Sequence, residues 1–319
     1  MIEVKNLTKR YGNHLAVDHL NFTVEYGKIY GFLGPNGAGK STTMNIMTGY
    51  LGATEGQVLI DGHDILKEPE EAKKNIGYLP EIPPLYMEMT VQEYLEFAAE
   101  LKGIKKDKRE PQIEEVIRLA KLRAVENRLI QNLSKGYKQR VGLAQAVLGF
   151  PEIIILDEPT VGLDPKQIIE IRELIRKLAK KHTVILSSHI LAEVREVCDY
   201  IMIISGGKLV ASDTTENLEN MMSGKGQIEV EAKASRDEMD HIIRRTGKIK
   251  EVKYRTSASG ITTAQIIAKG GEDIREELFL AFSHADVPML TLNQSKTTLE
   301  EIFLELTQGS GNRMIKEEK

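Results

Sequence analysis

Residues 34–41 of the chain are Gly34-Pro-Asn-Gly-Ala-Gly-Lys-Ser41, and they match the pattern G-x-x-x-x-G-K-[ST] between a predicted strand, Ile29 to Leu33, and a predicted helix. Glycines let such a loop curl until its N–H groups point at phosphate oxygens, and the following helix N-terminus adds partial positive charge. We expect the Lys40 ammonium to bridge the β- and γ-phosphates of a nucleotide and the Ser41 hydroxyl to bind Mg²⁺. The predicted nucleotide-binding residues of this loop are Gly34, Pro35, Asn36, Gly37, Ala38, Gly39, Lys40, Ser41 and Thr42.

Two acidic residues stand at the end of another predicted strand, Ile153 to Leu156. Its unbroken apolar run is typical of a parallel strand that is buried on both faces. Asp157 ends this strand, where its carboxylate is placed to hold the magnesium shell. Glu158 follows directly, and we expect it to polarise the attacking water as a general base, a role worth roughly 10² to 10⁴ in rate.

The elements around these motifs alternate between strands and helices. Further strands are predicted at Ile2 to Val4, Leu20 to Val24, Val58 to Ile60 and Val184 to Leu186, and helical spacing indicates a helical insert from Val91 to Phe150. Asp164 and Pro165 are predicted to begin a helix as its N-cap and first residue. A strand, a helix and a second buried strand in succession form a right-handed crossover, so we expect an α/β fold.

The C-terminal part of the chain has its own order of elements after a predicted linker at residues 221–226. The pattern predicts a strand at Gln227 to Ala232, a helix at Arg236 to Thr246, strands at Ile249 to Arg255 and Ile261 to Ala268, a helix at Asp273 to His284 and a strand at Val287 to Asn293. This β-α-β-β-α-β order is that of a small α+β ferredoxin-like domain. Thr298 and Glu301 form the capping box of a last predicted helix. We expect domains at residues 1–220 and 227–307, a helical subdomain at about 85–150, and a flexible tail at 308–319.

The composition argues against a nucleic-acid partner and a disulfide framework. The chain carries 43 basic and 47 acidic residues, a net charge of -4, so it lacks the positive surplus of a dedicated duplex-DNA binder. Cys198 is the only cysteine, which excludes an intramolecular disulfide and favours the reducing cytoplasm. No apolar stretch approaches the ~18 residues that a membrane span needs, so such a chain serves a membrane only beside another chain that crosses it.

A series of motifs over about residues 1 to 220 resembles the ABC ATPases. After the loop at residues 34–41 (Walker A) come Leu133-Ser-Lys-Gly-Tyr137 (signature motif), Asp157-Glu158 (Walker B), Gly162-Leu163-Asp164 (D-loop) and Ser187-Ser188-His189 (switch histidine), in the family's order and spacing. The resemblance implies a P-loop NTPase fold of the ABC ATPase type, with an antiparallel β subdomain and a helical insert.

The resemblance also implies roles for individual residues. In that family two cassettes enclose two ATP molecules head to tail, so Ser134 and Gly136 would touch the γ-phosphate bound by the other cassette. His189 would contact the γ-phosphate and help to hold Glu158 and the water, which makes Glu158 and His189 the catalytic pair. Tyr11 occupies the position of the aromatic residue that stacks on adenine.

Two positions depart from the family pattern. The commonest signature is Leu-Ser-Gly-Gly-Gln, whereas this chain has Lys135 and Tyr137 beside the retained Ser134 and Gly136. Glu81 stands where the family usually places the Q-loop glutamine, and its carboxylate is a hard oxygen donor for Mg²⁺. The predicted metal ligands are therefore Ser41, Glu81 and Asp157, with ATP and Mg²⁺ as the cofactors.

The combination of Tyr78-Leu-Pro-Glu81, Leu133-Ser-Lys-Gly-Tyr137 and an appended domain that ends Leu299-Glu-Glu-Ile-Phe303 is similar to ABC-2-type exporter ATPases. That group includes multidrug, sodium-export, copper-enzyme-maturation and gliding-motility systems. This similarity implies a separate multispanning ABC-2-type permease, a second cassette that forms a homodimer rather than a heterodimer, and a peripheral location on the cytoplasmic face of the cell membrane. It does not specify the substrate. Two alternatives stay open, namely a soluble ABC ATPase that acts on ribosomes or DNA, and a regulatory cassette that has lost hydrolysis.

Overall fold

The computed structural model describes residues 1–218, 227–257, 260–295, 303–304 and 306–307. The chain divides into two compact units, Met1–Thr215 with Leu306–Lys319, and Glu216–Glu305. The predicted linker at 221–226, the capping box of Thr298 and Glu301, and the tail at 308–319 lie outside the described residues. The domain boundaries named above stay predictions.

The larger unit is built on a six-stranded sheet that carries the motifs at its strand ends. Its strands are β3 (Ile29–Leu33), β6 (Ile76–Leu79), β7 (Ile153–Leu156), β8 (Thr183–Ser188), β9 (Tyr200–Ser205) and β10 (Lys208–Thr214), in the order β10-β9-β3-β8-β7-β6. The pairs from β9 to β6 are parallel, and β10 joins β9 antiparallel. The strands predicted at Ile29 to Leu33 and Ile153 to Leu156 are confirmed, and every residue of both is buried.

A second, four-stranded antiparallel sheet packs on the first. It consists of β1 (Ile2–Tyr11), β2 (His14–Val24), β4 (Glu55–Ile60) and β5 (His63–Asp64), in the order β2-β1-β4-β5. The strands predicted at Ile2 to Val4 and Leu20 to Val24 are only parts of β1 and β2. Register shifts after Val4 and Leu7, together with left-handed backbone at Asn6 and His19, interrupt the alternation of apolar residues. Apolar side chains from both sheets and from α1 (Lys40–Met47) share one core, which includes Phe32, Met44, Ile60 and Ile155.

The predicted helical insert is present as three helices. They are α3 (Val91–Leu101), α4 (Lys106–Leu119) and α5 (Lys135–Val147); α2 (Pro69–Lys74) precedes them, and α6 (Pro165–Leu178) and α7 (Leu191–Val197) follow. Thr90 and Glu93 form a capping box at the start of α3. Asp164 caps α6 and Pro165 is its first residue, as predicted. No helix in the described ranges is long and apolar enough to cross a membrane.

The smaller unit has the predicted order of elements. It comprises β11 (Gln227–Ala232), α8 (Arg236–Arg244), β12 (Ile249–Thr256), β13 (Thr262–Ala268), α9 (Arg275–His284) and β14 (Met289–Ser295). Its four strands form an antiparallel sheet in the order β12-β13-β11-β14. Val230, Ile243, Ile266 and Phe282 belong to its own apolar core. The ferredoxin-like assignment itself stays a prediction.

Candidate functional site

The loop between β3 and α1 is held in place by close backbone contacts. Gly39 has a φ of 103°, and a Cβ atom on it would lie 2.5 Å from the carbonyl oxygen of Ala16. A Cβ atom on Gly34 would lie 2.4 Å from the carbonyl oxygen of Ile204, in β9. Any larger side chain at either position would clash with backbone, so both glycines are required by the position of the loop.

Lys40 is buried and its ammonium is folded into this loop. Its Nζ donates to the carbonyl oxygens of Gly34 at 2.8 Å and Pro35 at 3.3 Å, and lies 3.5 Å from Glu158 Oε1. A buried ammonium needs such partners. The chain therefore keeps a positive charge at the start of α1, beside the predicted general base.

The acidic pair after β7 is fixed by the end of β8. The Ser187 hydroxyl donates to Asp157 Oδ1 and accepts the backbone N–H of Glu158 at 2.8 Å. The Ser41 hydroxyl lies 3.2 Å from the same Asp157 oxygen. Glu158 has a φ of 47°, in the left-handed region, and His189 Nδ1 lies 3.0 Å from its Oε2. Because the strands are parallel, their carboxyl ends bring these groups to one edge of the sheet.

A cavity of about 410 Å³ opens at this edge. Its lining comprises Tyr11, His14, Ala16, Asn36, Gly37, Ala38, Gly39, Lys40, Ser41, Thr42, Glu81, Glu158, Val161 and His189. Most of the predicted site residues therefore meet here. The exceptions are Gly34, Pro35, Asp157 and the signature residues. The carbonyl oxygens of Gly34 and Pro35 accept from Lys40, and Asp157 contacts Ser41.

Tyr11, the last residue of β1, also lines the cavity. Tyr11 is 49% exposed, and Lys9 Nζ lies 5.3 Å from its ring centroid while also donating to the carbonyl of Gly52 at 2.7 Å. Lys9 thus helps to orient the ring. The sequence did not predict a role for Lys9 or His14, because a polar residue of a hairpin carries no pattern that marks it.

The residues near Ser41 suit a magnesium ion that is shared with a nucleotide. Ser41, Asp157 and Glu81 supply hard oxygen donors, which Mg²⁺ prefers. Across the described residues, no cluster of three or more His, Cys, Asp or Glu side chains could hold a metal by itself. Mg²⁺ usually takes one or two carboxylates together with phosphate oxygens and water, so the set fits the ion.

The signature residues lie away from this cavity. Ser134 is the N-cap of α5 and accepts the N–H of Tyr137 at 3.4 Å. Gly136 is buried against Gln167, whose amide a Cβ atom would approach to 2.5 Å. The Lys135 ammonium lies over Gly162, where an added Cβ would be 2.0 Å from Nζ. Within one chain, the structure does not bring Ser134 or Gly136 to the loop that holds Lys40.

A second cavity, of about 810 Å³, adjoins the first. Ser41 and Glu81 line both cavities, and Tyr50, Ile82 and Lys102 belong to the second alone. The side chains of Tyr50 and Ile82 are each 82% exposed. The second cavity is therefore lined both by exposed apolar residues and by two residues, Ser41 and Glu81, that also line the first cavity.

Tyr78 forms part of the floor of the second cavity. Its hydroxyl donates to Asn45 Oδ1, on α1, at 2.9 Å. Burial, and secondarily the charge of Asp157, raises the pKa of the Tyr78 phenol above its usual value. The phenol therefore stays protonated and keeps α1 joined to β6.

Comparisons with known proteins agree with the motifs. Residues 17–161 match the family described as ABC transporter. The chain is 42% identical to the bacitracin transport ATP-binding protein of Bacillus licheniformis over 221 residues, which are 69% of this chain and 71% of that protein. It is 31% identical to the linearmycin resistance ATP-binding protein of Bacillus subtilis over 96% of this chain and 98% of that protein.

Solved structures show the same likeness in three dimensions. One is an ATP-binding subunit of an ABC transporter, with a TM-score of 0.64 and 32% identity over 69% of this chain and 92% of that chain. Another is a dimeric ATP-binding cassette in a post-hydrolysis state with ADP and phosphate, with a TM-score of 0.61 and 28% identity over 67% of this chain and 98% of that chain.

Proposed function

Because this chain belongs to the ABC transporter ATP-binding proteins and is an ATPase of that family, we propose that it drives export through a separate multispanning permease of the ABC-2 type. Convergence of the loop, Lys40, Glu158 and His189 on one cavity supports the ATP-hydrolysing part of this role. A chain that had lost hydrolysis would not need a carboxylate and an imidazole 3.0 Å apart at this point.

The residues around the cavity have separate roles in binding and hydrolysing ATP. The loop N–H groups and Lys40 bind the phosphates, and Tyr11 stacks on adenine. Glu158 accepts a proton from the attacking water, and His189 keeps that carboxylate oriented. When bound, Mg²⁺ is held by Ser41, Asp157 and Glu81 and offsets the negative charge of the β- and γ-phosphates.

A second copy of the chain completes each site in this proposal. Ser134 and Gly136 stand at the start of α5, whose N-terminal N–H groups suit an anion. Since they lie outside their own chain's cavity, we assign them to the γ-phosphate held by the partner cassette. The resulting dimer is head to tail and, with one kind of chain, symmetric.

The second cavity is the proposed docking surface for the permease. Exposed Tyr50 and Ile82 give this cavity an apolar surface, and Glu81 lines both this cavity and the nucleotide cavity. A permease segment seated there would respond to movement of Glu81. The chain would then work on the inner face of the membrane. Three relatives are named for bacitracin, linearmycin and lantibiotics, so we propose an antimicrobial compound as the first substrate to test.

A glutamine at the general-base position tests the ATPase cycle. Glu158→Gln should retain ATP binding, lower turnover by about 10² or more, and trap an ATP-bound dimer that size-exclusion chromatography separates from the monomer. Lys40→Ala should lose binding itself. Normal turnover in the glutamine variant would refute the assignment of the base. Co-purification with a multispanning protein supports the exporter, whereas co-purification with ribosomes or DNA would contradict it.

A further inference from the structure

Glu193 is a buried carboxylate with no role in the hydrolysis described so far. It lies on α7 with 6% of its surface exposed, and it is not part of the lining of the nucleotide cavity. Its Oε2 accepts the Thr160 hydroxyl at 2.6 Å and the Ser188 hydroxyl at 3.0 Å. Hydrogen bonds to an ionised acceptor are stronger than neutral ones, and burying a carboxylate is costly without them. One oxygen atom thus joins two separate segments of the chain.

Thr160 belongs to the segment that follows the general base. It is two residues after Glu158, and its carbonyl oxygen accepts the N–H of Leu163 at 3.2 Å, which closes the turn into the D-loop. Asp164 then caps α6. The position of Thr160 therefore determines how the chain leaves Glu158 and enters the D-loop.

Ser188 belongs to the end of β8, directly before His189. Successive side chains of a strand point to opposite faces, and the two serines follow this rule. Ser187 reaches Asp157 and the N–H of Glu158, whereas Ser188 reaches Glu193. Ser188 Oγ also accepts the N–H of Ile190 at 3.0 Å, so the loop on both sides of His189 is fastened to it.

We propose that Glu193 is a positioning residue for ATP hydrolysis. By holding Thr160 and Ser188 on one oxygen, it keeps the turn after Glu158 and the strand end before His189 in a fixed relation. That relation sets the 3.0 Å contact between His189 Nδ1 and Glu158 Oε2. The inference rests on the proposed roles of Glu158 and His189, and it adds a residue that touches neither nucleotide nor water.

Removal of the Glu193 carboxylate should slow turnover without weakening nucleotide binding. Displacement of a catalytic group by about 1 Å is enough to lower a rate by about 10². We therefore expect kcat of Glu193→Ala to fall by about 10- to 100-fold, while KM for MgATP changes less than about threefold, because the phosphate loop and Tyr11 are untouched. Glu193→Gln keeps one oxygen that can accept both hydroxyls, so it should recover much of the lost kcat.

The controls come from the same helix. Val194→Ala removes buried packing of α7 without touching the two hydroxyls, and Glu196→Ala removes an exposed acid. Activity is measured on the full chain and normalised to the folded fraction by circular dichroism. Glu193→Ala should lose far more kcat than Val194→Ala at a matched loss of Tm, and Glu196→Ala should behave as wild type.

A double-mutant cycle with His189→Ala tests whether Glu193 acts through the histidine. The two losses should be strongly non-additive, so that Glu193→Ala adds little once His189 is gone. Multiplicative losses, or equal kcat in Glu193→Ala and Val194→Ala, would overturn the inference. Thr160→Val and Ser188→Ala remove the contacts singly and give the same test if Glu193→Ala does not fold. Absence of MgATP turnover in the wild-type chain would instead refute the proposed function itself.

Discussion

Replacing Ser187 by alanine is expected to slow ATP hydrolysis and to destabilise the larger unit. The Ser187 hydroxyl is fully buried, donates to Asp157 and accepts the N–H of Glu158 at 2.8 Å. Alanine leaves that N–H without its acceptor and frees Glu158 from the contact that holds its left-handed backbone, at a φ of 47°. Both Asp157, the proposed metal ligand, and Glu158, the proposed general base, are affected.

The magnitude follows from the loss of one buried hydrogen-bond partner. An unsatisfied buried N–H costs about 1–3 kcal/mol. For units of about 150–250 residues, each kcal/mol lowers Tm by about 2–4 °C, so we expect a loss of roughly 2–12 °C. A small displacement of Glu158 should lower kcat by about 10² while KM for MgATP stays nearly constant.

Thr183→Val is the matched control, because it removes a similar contact at the opposite end of β8. The Thr183 hydroxyl is also buried, and it accepts the backbone N–H of Gly27 at 3.0 Å. Calorimetry should give the two variants similar losses of Tm, and steady-state ATPase assays should give a low kcat for Ser187→Ala alone. If both variants keep the same kcat, Ser187 does not position Glu158 and the reasoning is refuted.

Three further outcomes test other parts of the site. Tyr11→Ala should raise KM for ATP by about 5- to 150-fold, the equivalent of ~1–3 kcal/mol of stacking, whereas Tyr11→Phe should retain wild-type KM; an unchanged KM in the alanine variant would contradict the stacking role. Glu81→Gln should require more Mg²⁺ for half-maximal turnover because it loses a charged oxygen ligand, and an identical magnesium titration would remove Glu81 from the metal shell. Lys102→Met should lower Tm by the equivalent of about 1–2 kcal/mol, because Lys102 Nζ donates to three carbonyls at the end of α5, at 2.6, 2.8 and 3.2 Å. An unchanged Tm in calorimetry would show that water replaces these contacts without loss of stability.

The motifs and the central sheet could be predicted because each depends on local chemistry. A continuous apolar run marks a strand that is buried on both faces, and this identified Ile153–Leu156 to the residue. The turn residues Tyr26 and Gly27 marked the strand after them, and Ile29–Leu33 is confirmed to the residue as well. Asp164 and Pro165 carry a capping signal that needs no tertiary context. By contrast, β1 and β2 extend well beyond the predicted segments, because their bulges arise from pairing with each other and with β4.

The contacts that fix the geometry of the site could not be predicted in the same way. Glu193 lies five residues beyond Ser188 and far along the chain from Thr160, and only the fold brings the three together. Lys9 has the sequence context of an ordinary exposed lysine, yet its ammonium lies over the Tyr11 ring. Such residues act through contacts with segments that are brought near them only by the fold. A single sequence carries no signal for those contacts.

Ser41 and Glu81 line both cavities, so the proposed nucleotide site and the second cavity share side chains. A small molecule that filled the second cavity would contact Ser41 and Glu81, which are proposed magnesium ligands. We expect it to lower the maximal rate without competing with ATP, and to compete with the proposed permease for the same surface. An inhibitor bound in the second cavity would therefore be more selective than one bound at the phosphate loop, because many nucleotide-binding proteins share the sequence pattern of that loop.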